Sequence, residues 1–261
     1  MSVDLKMRHV NVVRYITPLR EGGSLPAIVE CSDDFLYVLK FRGAGQGTNA
    51  LVAEVIGTAI ARLLELNAPE LVTAYLSEDF GRTEADEEIQ DLLKFSVGEN
   101  LGVHYLKGSV TYDRNTFIVP EYTASKIVWL DAFLMNVDRT YRNTNMLIWN
   151  KELWVIDNGA ALYFHHTWHN WKEVSEKPFV QIKDHVLIKE AKQVEIVHNE
   201  IVPKITDAFL NDLLGSIPDT WLMKRNDVED ANEARSVYFN FLKNRLANSS
   251  HFLNEIENAG K

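Results

Sequence analysis

The chain has 261 residues, of which 46% are hydrophobic, so it is long enough for one large or two small domains with a sizeable core. Its net charge is −10, which argues against nonspecific nucleic-acid binding, because Lys and Arg supply most of that affinity. The sequence has no apolar run long enough to span a membrane, no signal-peptide pattern and a single cysteine, Cys31, so we expect a cytoplasmic protein.

The residues up to Phe41 have the pattern of short strands separated by turns. Three apolar, β-branched segments alternate with polar turn residues, which predicts an antiparallel meander. The first turn contains Gly22, Gly23 and Ser24. Because glycine lets backbone N–H groups approach phosphates closely, this turn is a candidate phosphate-covering loop; a Gly-Gly pair is equally typical of an ordinary hairpin turn.

The segment ALVAEVIGTAIARLLEL, residues 50–66, has apolar residues at helical spacing and predicts the clearest helix of the first half. Lys40 ends the strand before this helix, and Glu54 lies inside it. A strand lysine can contact nucleotide phosphates when a helical glutamate orients its ammonium group. We therefore expect a functional Lys40–Glu54 pair. The alternative is a solvated lysine and an unrelated surface glutamate.

The second half of the chain is mainly helical. The segment SKIVWLDAFLMN, residues 125–136, predicts an amphipathic helix, and residues 183–214 and 228–257 also have helical periodicity. These patterns predict an α+β architecture of two lobes. We expect a small antiparallel β-sheet lobe with one helix at 1–118 and a mostly helical lobe at 119–261.

The strongest functional signal is the stretch NVDRTYRNTNMLIWNKELWVIDNGAAL, residues 136–162. Asn143 follows Asp138 by five residues, and Asp157 follows the second of two apolar runs that are typical of a hairpin. Phosphoryl transfer needs a carboxylate beside the attacking hydroxyl, and an amide oxygen and a second carboxylate on Mg²⁺. The pattern predicts Asp138 as the catalytic carboxylate and Asn143 and Asp157 as metal ligands, although such residues are also common in ordinary turns.

The chain order of strand lysine, helix glutamate, Asp-x4-Asn loop and Asp-Asn-Gly turn resembles that of the HipA-like kinases. They are a bacterial group distantly related to protein kinases and phosphatidylinositol kinases. The segments that carry the resemblance are YVLKF with Lys40, LVAEVIGTAIARLL with Glu54, VPEY at 119–122, NVDRTYRNTNMLI at 136–148 and VIDNG at 155–159. The resemblance implies a two-lobed protein-kinase-like fold that uses ATP and Mg²⁺. It also implies that Lys40, Glu54 and Asp138 are catalytic residues and that Lys40 contacts the nucleotide.

The resemblance also implies further site residues. The expected adenine-binding hinge consists of Val119, Pro120, Glu121 and Tyr122, and the expected phosphate-covering loop of Gly22, Gly23 and Ser24, where Ser24 is a candidate autophosphorylation site. Many relatives have His two positions after the catalytic Asp, whereas this chain has Thr140. Arg139 and Arg142 are second-rank candidates for the missing positive group. Asn145 competes with Asn143 for the metal, and the spacing from Asp138 favours Asn143.

The sequence therefore predicts an ATP- and Mg²⁺-dependent phosphotransferase, specifically a Ser/Thr protein kinase. Its substrate would be a protein or a small-molecule hydroxyl acceptor, and an antitoxin-like or other protein partner fits the resemblance. The alternatives are a nucleotide-binding pseudokinase or scaffold, which Thr140 favours, and a kinase acting on a lipid or small molecule. The aromatic segment ALYFHHTWHNW, residues 161–171, is expected to be an activation-type loop packed on the second lobe or else a docking surface.

Overall fold

The computed structural model of the protein describes residues 4–19, 25–82, 86–223 and 230–261. The predicted turn at Gly22, Gly23 and Ser24 lies outside these ranges. The first elements in chain order are β1 (Arg8–Pro18), β2 (Ala27–Cys31), β3 (Leu36–Lys40), α1 (Gly47–Leu63), β4 (Leu71–Leu76), a 3₁₀ turn (Glu78–Arg82), α2 (Glu87–Phe95) and β5 (Gly98–His104).

The strands of this first part close into a barrel in the order β1-β2-β3-β5-β4. Neighbouring strands are antiparallel except at the closure, where β1 runs parallel to β4 and Arg8 is paired with Val72. The expectation of a purely antiparallel sheet is therefore wrong at this one pair. The register of β1 is irregular between Val12 and Arg14, and such bulges bend a strand, which lets the first half of β1 reach β4.

Helix α1 is buried along almost its whole length. A helix that is apolar on nearly every side belongs inside a protein, and α1 packs in the same hydrophobic cluster as the helices of the second half of the chain. The expected lobe with one helix also differs from the structure, because α2 follows β4. The Asp86 side chain caps α2 by accepting hydrogen bonds from the N–H groups of Glu88 and Ile89.

The second half consists mainly of helices and one small sheet. Its elements are β6 (Val110–Thr111), α3 (Glu121–Leu134), β7 (Met146–Trp149), β8 (Glu152–Val155), α4 (Trp171–Glu176), α5 (Val194–Ile201), α6 (Asp207–Gly215), α7 (Asp219–Leu222), α8 (Ala231–Ala247) and α9 (Ser249–Ala259). β7 and β8 form the predicted hairpin, and β6 pairs with β7. Asn150 and Lys151 at the hairpin turn have φ of 50° and 67°, which suits the right-handed twist of the strands.

The hydrophobic interior has two parts. A smaller cluster fills the barrel and includes Val29, Tyr37 and Leu39. A larger cluster joins α1 to the helical second half and includes Ile56 of α1 and Phe133 of α3. In the described part of the chain no helix is both long enough and apolar enough to cross a membrane.

The aromatic segment at 161–171 packs into the larger cluster. Phe164 stacks on Phe241 of α8 with 3.9 Å between ring centroids, and Trp168 meets Tyr238 edge to face. Phe164 and Trp168 are buried, whereas Tyr163 is exposed. The buried rings of this segment are therefore core packing against α8 and do not form a docking surface.

Candidate active site

A cavity of about 790 Å³ lies between the barrel and the small sheet of β6, β7 and β8. The predicted catalytic and metal-binding residues Lys40, Glu54, Asp138, Asn143 and Asp157 all line it. They come from β3, from α1 and from the two ends of the β7–β8 hairpin. The fold thus brings together side chains that lie far apart in the sequence.

Lys40 is held by two carboxylates. Its Nζ donates to Glu54 Oε2 at 2.7 Å and to Asp157 Oδ1 at 2.7 Å, and the lysine side chain is 16% exposed. Burial alone would lower the pKa of Lys40, but Asp157 and Glu54 outweigh it and raise the pKa above its ordinary value. The ammonium group is therefore charged and fixed in position at the cavity wall.

Glu54 is a buried carboxylate with several partners. Its Oε2 accepts from Lys40 and from the N–H of Asn158 at 2.8 Å, and its Oε1 accepts from the Thr58 hydroxyl at 3.5 Å. A buried charge is tolerated when it is paired and hydrogen-bonded. This geometry matches the expected Lys40–Glu54 pair and excludes the alternative of an unrelated surface glutamate.

Asp157 follows β8 in a sharp turn. Its φ of 53° lies in the left-handed region, which a non-glycine residue adopts at some energetic cost. Oδ1 accepts from Lys40 and from the N–H of Gly159, and no described residue donates to Oδ2. The positive charge of Lys40 holds the pKa of Asp157 below its ordinary value against the opposing effect of burial. Asp157 therefore presents an ionised carboxylate oxygen at the cavity.

Asp138 is oriented by two amides. Its Oδ2 accepts from Asn143 Nδ2 at 2.8 Å and from Asn145 Nδ2 at 3.2 Å. Its own backbone N–H donates to Asn136 Oδ1 at 3.1 Å. Both oxygens of the Asp138 carboxylate are thus fixed in orientation, and Oδ1 has no donor among the described residues.

Asn143 and Asn145 both lie at the cavity wall. Each uses its amide N–H₂ on Asp138, so the amide oxygen of each is available to a cation. Asn143 is exposed and Asn145 is buried. The two candidate metal ligands, Asn143 and Asn145, are therefore neighbours at one site.

These side chains suit Mg²⁺. Carboxylate and amide oxygens are the hard ligands that this ion prefers, and in phosphoryl-transfer sites one or two carboxylates suffice because water and phosphate complete the shell. Asp157 offers a carboxylate oxygen without a donor, and Asn143 or Asn145 offers an amide oxygen. Within residues 4–19, 25–82, 86–223 and 230–261 no group of three or more His, Cys, Asp or Glu side chains could hold a metal ion.

The predicted hinge at Val119, Pro120, Glu121 and Tyr122 is not at the cavity. Pro120 caps α3, Glu121 begins it, and the Tyr122 hydroxyl donates to Glu200. Proline has the backbone angle that suits the start of a helix, so this segment enters α3 instead of crossing between the two halves. The cavity is lined instead by His104, the last residue of β5, and by Tyr105 and Leu106 after it.

Arg139 does not face the cavity either. It is buried, and its guanidinium donates to Asp131 Oδ2 at 2.6 Å, to Asn158 Oδ1 at 3.0 Å and to the carbonyls of Ile156 and Asn145. It thus joins the two ends of the β7–β8 hairpin to α3. The suggestion that Arg139 supplies a positive group beside the phosphate is wrong, whereas Arg142 does line the cavity.

Sequence reasoning missed the partners of Arg139. Asp131 of α3 also accepts from His185 Nε2 at 2.8 Å, and His185 Nδ1 accepts from the N–H of Leu187, so the ring proton is on Nε2. Burial would raise the pKa of Asp131, but Arg139 and His185 outweigh it and lower the pKa. The available signal was a charged residue inside the apolar stretch IVWLDAFL.

Comparison with known proteins gives a consistent result. A model of the HipA-like kinase family matches residues 12–256, and no curated protein matches significantly. Among solved structures, the proinflammatory kinase CtkA of Helicobacter pylori matches with a TM-score of 0.56 and 12% identity over 97% of each chain. A Golgi casein kinase with Mn/ADP bound matches with a TM-score of 0.50 and 12% identity over 98% of this chain and 74% of the other. At this identity the two structures show a shared kinase fold.

Proposed function

The chain belongs to the HipA-like kinase family, and from this membership and the geometry of the cavity we propose that it is an ATP- and Mg²⁺-dependent Ser/Thr protein kinase. The observation that carries the proposal is the meeting of five side chains at one cavity: Lys40, Glu54, Asp138, Asn143 and Asp157. They supply the charges that phosphoryl transfer needs.

The nucleotide would occupy the cavity between the barrel and the small sheet. Its volume of about 790 Å³ falls in the usual range for small-molecule sites. Apolar side chains from both halves line it, and they suit an adenine ring: Val38, Val103, Leu106, Met146 and Ile156. The backbone of residues 104–106 replaces that of 119–122 as the proposed partner of the adenine edge.

Lys40 would bind the phosphates. Its ammonium is already held by Glu54, which is itself fixed by Asn158, so little reorganisation is needed when a phosphate arrives. We propose that Asp157 and either Asn143 or Asn145 hold Mg²⁺. The ion would neutralise charge on the phosphates of the bound nucleotide.

Asp138 would receive the proton of the acceptor hydroxyl. In the proposed reaction the hydroxyl oxygen forms a bond to the γ-phosphorus, the bond from that phosphorus to the bridging oxygen breaks, and ADP leaves. The proton passes to the Asp138 carboxylate, whose orientation Asn143 and Asn145 maintain. The contribution of these residues is positioning and charge stabilisation.

We also propose that residues 1–118 act as the phosphate-binding lobe and residues 119–261 as the catalytic lobe. The position of Lys40 and Glu54 before residue 118, and of Asp138 and Asp157 after it, supports this division. The cytoplasmic location and the antitoxin-like partner stay predictions of the sequence.

The test combines nucleotide binding and phosphoryl transfer. Asp138→Asn should reduce transfer from labelled ATP to a generic protein acceptor by about 10²–10⁴-fold while leaving stabilisation by Mg·ATP nearly intact. Asp157→Asn should weaken that stabilisation itself. Asp91→Asn, on the exposed face of α2, is the matched control and should change neither.

Three outcomes would contradict the proposal or one of its parts. Stabilisation by Mg·ATP without transfer to any acceptor would favour the pseudokinase alternative. Transfer to a lipid or small molecule but to no protein would keep the chemistry and replace the substrate class. Equal transfer by the wild type and Asp138→Asn would remove Asp138 from its assigned role.

A further inference from the structure

A tight turn stands at the mouth of the cavity. The Thr140 N–H donates to the Asn143 carbonyl at 2.8 Å, and the Asn143 N–H donates to Thr140 Oγ1 at 3.4 Å. The tip of this turn consists of Tyr141 and Arg142, which are both exposed. A backbone bridge from Thr140 to His185 fixes the base of the turn. The backbone of the turn is therefore fixed, and Arg142 at its tip lines the same cavity as Asp138.

Arg142 has no partner for its charge. Over the ranges of the chain that the structure describes, it forms no ion pair and no side-chain hydrogen bond, although it lines the same cavity wall as Asp138 and Asn143. Lys40, in contrast, is already paired with Glu54 and Asp157. Once the nucleotide and metal engage Lys40 and Asp157, the lining side chains with a carboxylate or guanidinium group that are left for the acceptor are Asp138 and Arg142.

A second arginine braces the turn. The Arg114 guanidinium lies 5.3 Å from the centre of the Tyr141 ring, within the range of a cation–π contact. Arg114 also pairs with Glu190 at 3.2 Å, so it carries less free charge than Arg142. The result is a positive turn tip whose aromatic neighbour is held in place.

This positive tip stands out in a protein of net charge −10. At physiological ionic strength charges farther apart than about 8 Å are largely screened, so an acceptor near Asp138 senses the local groups more than the total charge. Arginine also matches a carboxylate geometrically, because its planar fork can donate two parallel hydrogen bonds.

We propose that Arg142 binds a carboxylate of an acidic acceptor peptide, with Asp or Glu within about three residues of the phosphorylated hydroxyl. This inference rests on the proposed protein kinase function and names its substrate class. Tyr141 and Arg114 form the rest of the subsite.

The experiment uses alanine-based peptides with one central Ser. For each position near this Ser, one peptide of a pair has Glu there and the other has Lys. The ratio of kcat/KM for the Glu peptide to that for the Lys peptide is measured for the wild type, Arg142→Gln and Arg142→Glu. At one or more positions the wild type should favour Glu roughly tenfold, as expected for one charged hydrogen-bonded pair. Arg142→Gln should remove the preference, and Arg142→Glu should reverse it toward Lys.

Arg14→Gln is the matched control, because Arg14 is an exposed arginine on β1 paired with Glu30, and its ratio should equal that of the wild type. A purely structural role for Arg142 would not reverse the preference. Equal loss of turnover on Glu and Lys peptides in Arg142→Gln would overturn the inference and assign Arg142 to the transferred phosphate. A wild type that phosphorylates peptides without charge preference would overturn it too. Absence of any transfer by the wild type would instead remove the proposed function, and the subsite with it.

Discussion

Gly57 of α1 lies where a methyl group has no room. A Cβ atom built at this position would lie 2.4 Å from Asn158 Cβ and 2.6 Å from Asn158 Cγ. Carbon atoms ordinarily approach to about 3.5–4.0 Å, so Gly57→Ala must push α1 and Asn158 apart by about 1 Å. Asn158 cannot turn aside, because its Oδ1 accepts from Arg139 and its N–H donates to Glu54.

The size of the effect follows from three contributions. Replacing glycine by alanine inside a helix stabilises the helix by about 1 kcal/mol. Overpacking of a buried site costs about 1–3 kcal/mol, and losing the hydrogen bond from Asn158 to the charged Glu54 costs about 1.5–3 kcal/mol. We expect a net loss of about 3 kcal/mol in the free energy of unfolding, and a melting temperature lower by about 6–12 °C.

The assay is thermal melting combined with transfer of labelled phosphate. Because Asn158 adjoins Asp157, Gly57→Ala should also weaken stabilisation by Mg·ATP and lower kcat/KM by roughly tenfold or more. Gly215→Ala is the control, since Gly215 ends α6 and no atom lies within 4 Å of its added Cβ. That variant should melt at or slightly above the wild type. If Gly57→Ala melted like Gly215→Ala and kept full activity, the packing argument would be refuted.

Three further predictions concern charged groups. Glu54→Gln removes one of the two carboxylates on Lys40 and should lower kcat by about 10²-fold, measured by phosphate transfer, while the protein stays folded; an unchanged kcat would contradict the role of the pair. Asp131 and Asp157 have lowered pKa values in the folded protein, so their stabilisation is present above their ordinary pKa, about pH 4, and is lost as the pH falls through the folded values. As the pH is lowered from 6 to 3, the urea concentration at the unfolding midpoint should therefore fall less steeply for Asp131→Asn than for the control Asp91→Asn. Equal pH dependence of the two midpoints would contradict this explanation. Buried Arg245 donates at 2.7 Å to the carbonyls of Ala132 and Lys177, so Arg245→Met should cost about 3 kcal/mol in urea unfolding, whereas exposed Arg14→Met should cost almost nothing.

The residues of the candidate site were predictable where a charged or polar side chain stands out from the local sequence pattern. Lys40 ends a short apolar strand, and Glu54 is a charge inside an apolar helix, so each stands out from its surroundings. Asp138, Asn143 and Asp157 flank the two strands of one hairpin, which limits how far apart they can lie. Their side chains meet in the structure as those patterns indicate. Their catalytic and metal-binding roles stay predictions.

Features that depend on long-range packing were not predictable in the same way. The segment VPEY resembles an extended connector in sequence, and only the packing of α3 shows that a helix begins at Glu121, directly after Pro120. Arg139 differs from Arg142 by three positions, yet one is buried against Asp131 and the other lines the cavity. No local pattern distinguishes them, because the difference depends on where α3 lies relative to the hairpin.

The parallel pairing of β1 with β4 could not be predicted from local sequence patterns for the same reason. Pairing of Arg8 with Val72 joins residues separated by two strands and a helix. Strand propensity indicates that β1 and β4 form, but the choice of neighbour is decided by closure of the whole barrel.

The division of the interior into two hydrophobic clusters has a mechanical consequence. Lys40 extends from a strand whose core residues belong to the barrel cluster, whereas Glu54 extends from α1, which is embedded in the other cluster. The Lys40–Glu54 ion pair therefore joins the two clusters. Any rotation of the barrel relative to the helical part would move the Lys40 ammonium away from Glu54, so this ion pair depends on the two clusters keeping their present arrangement.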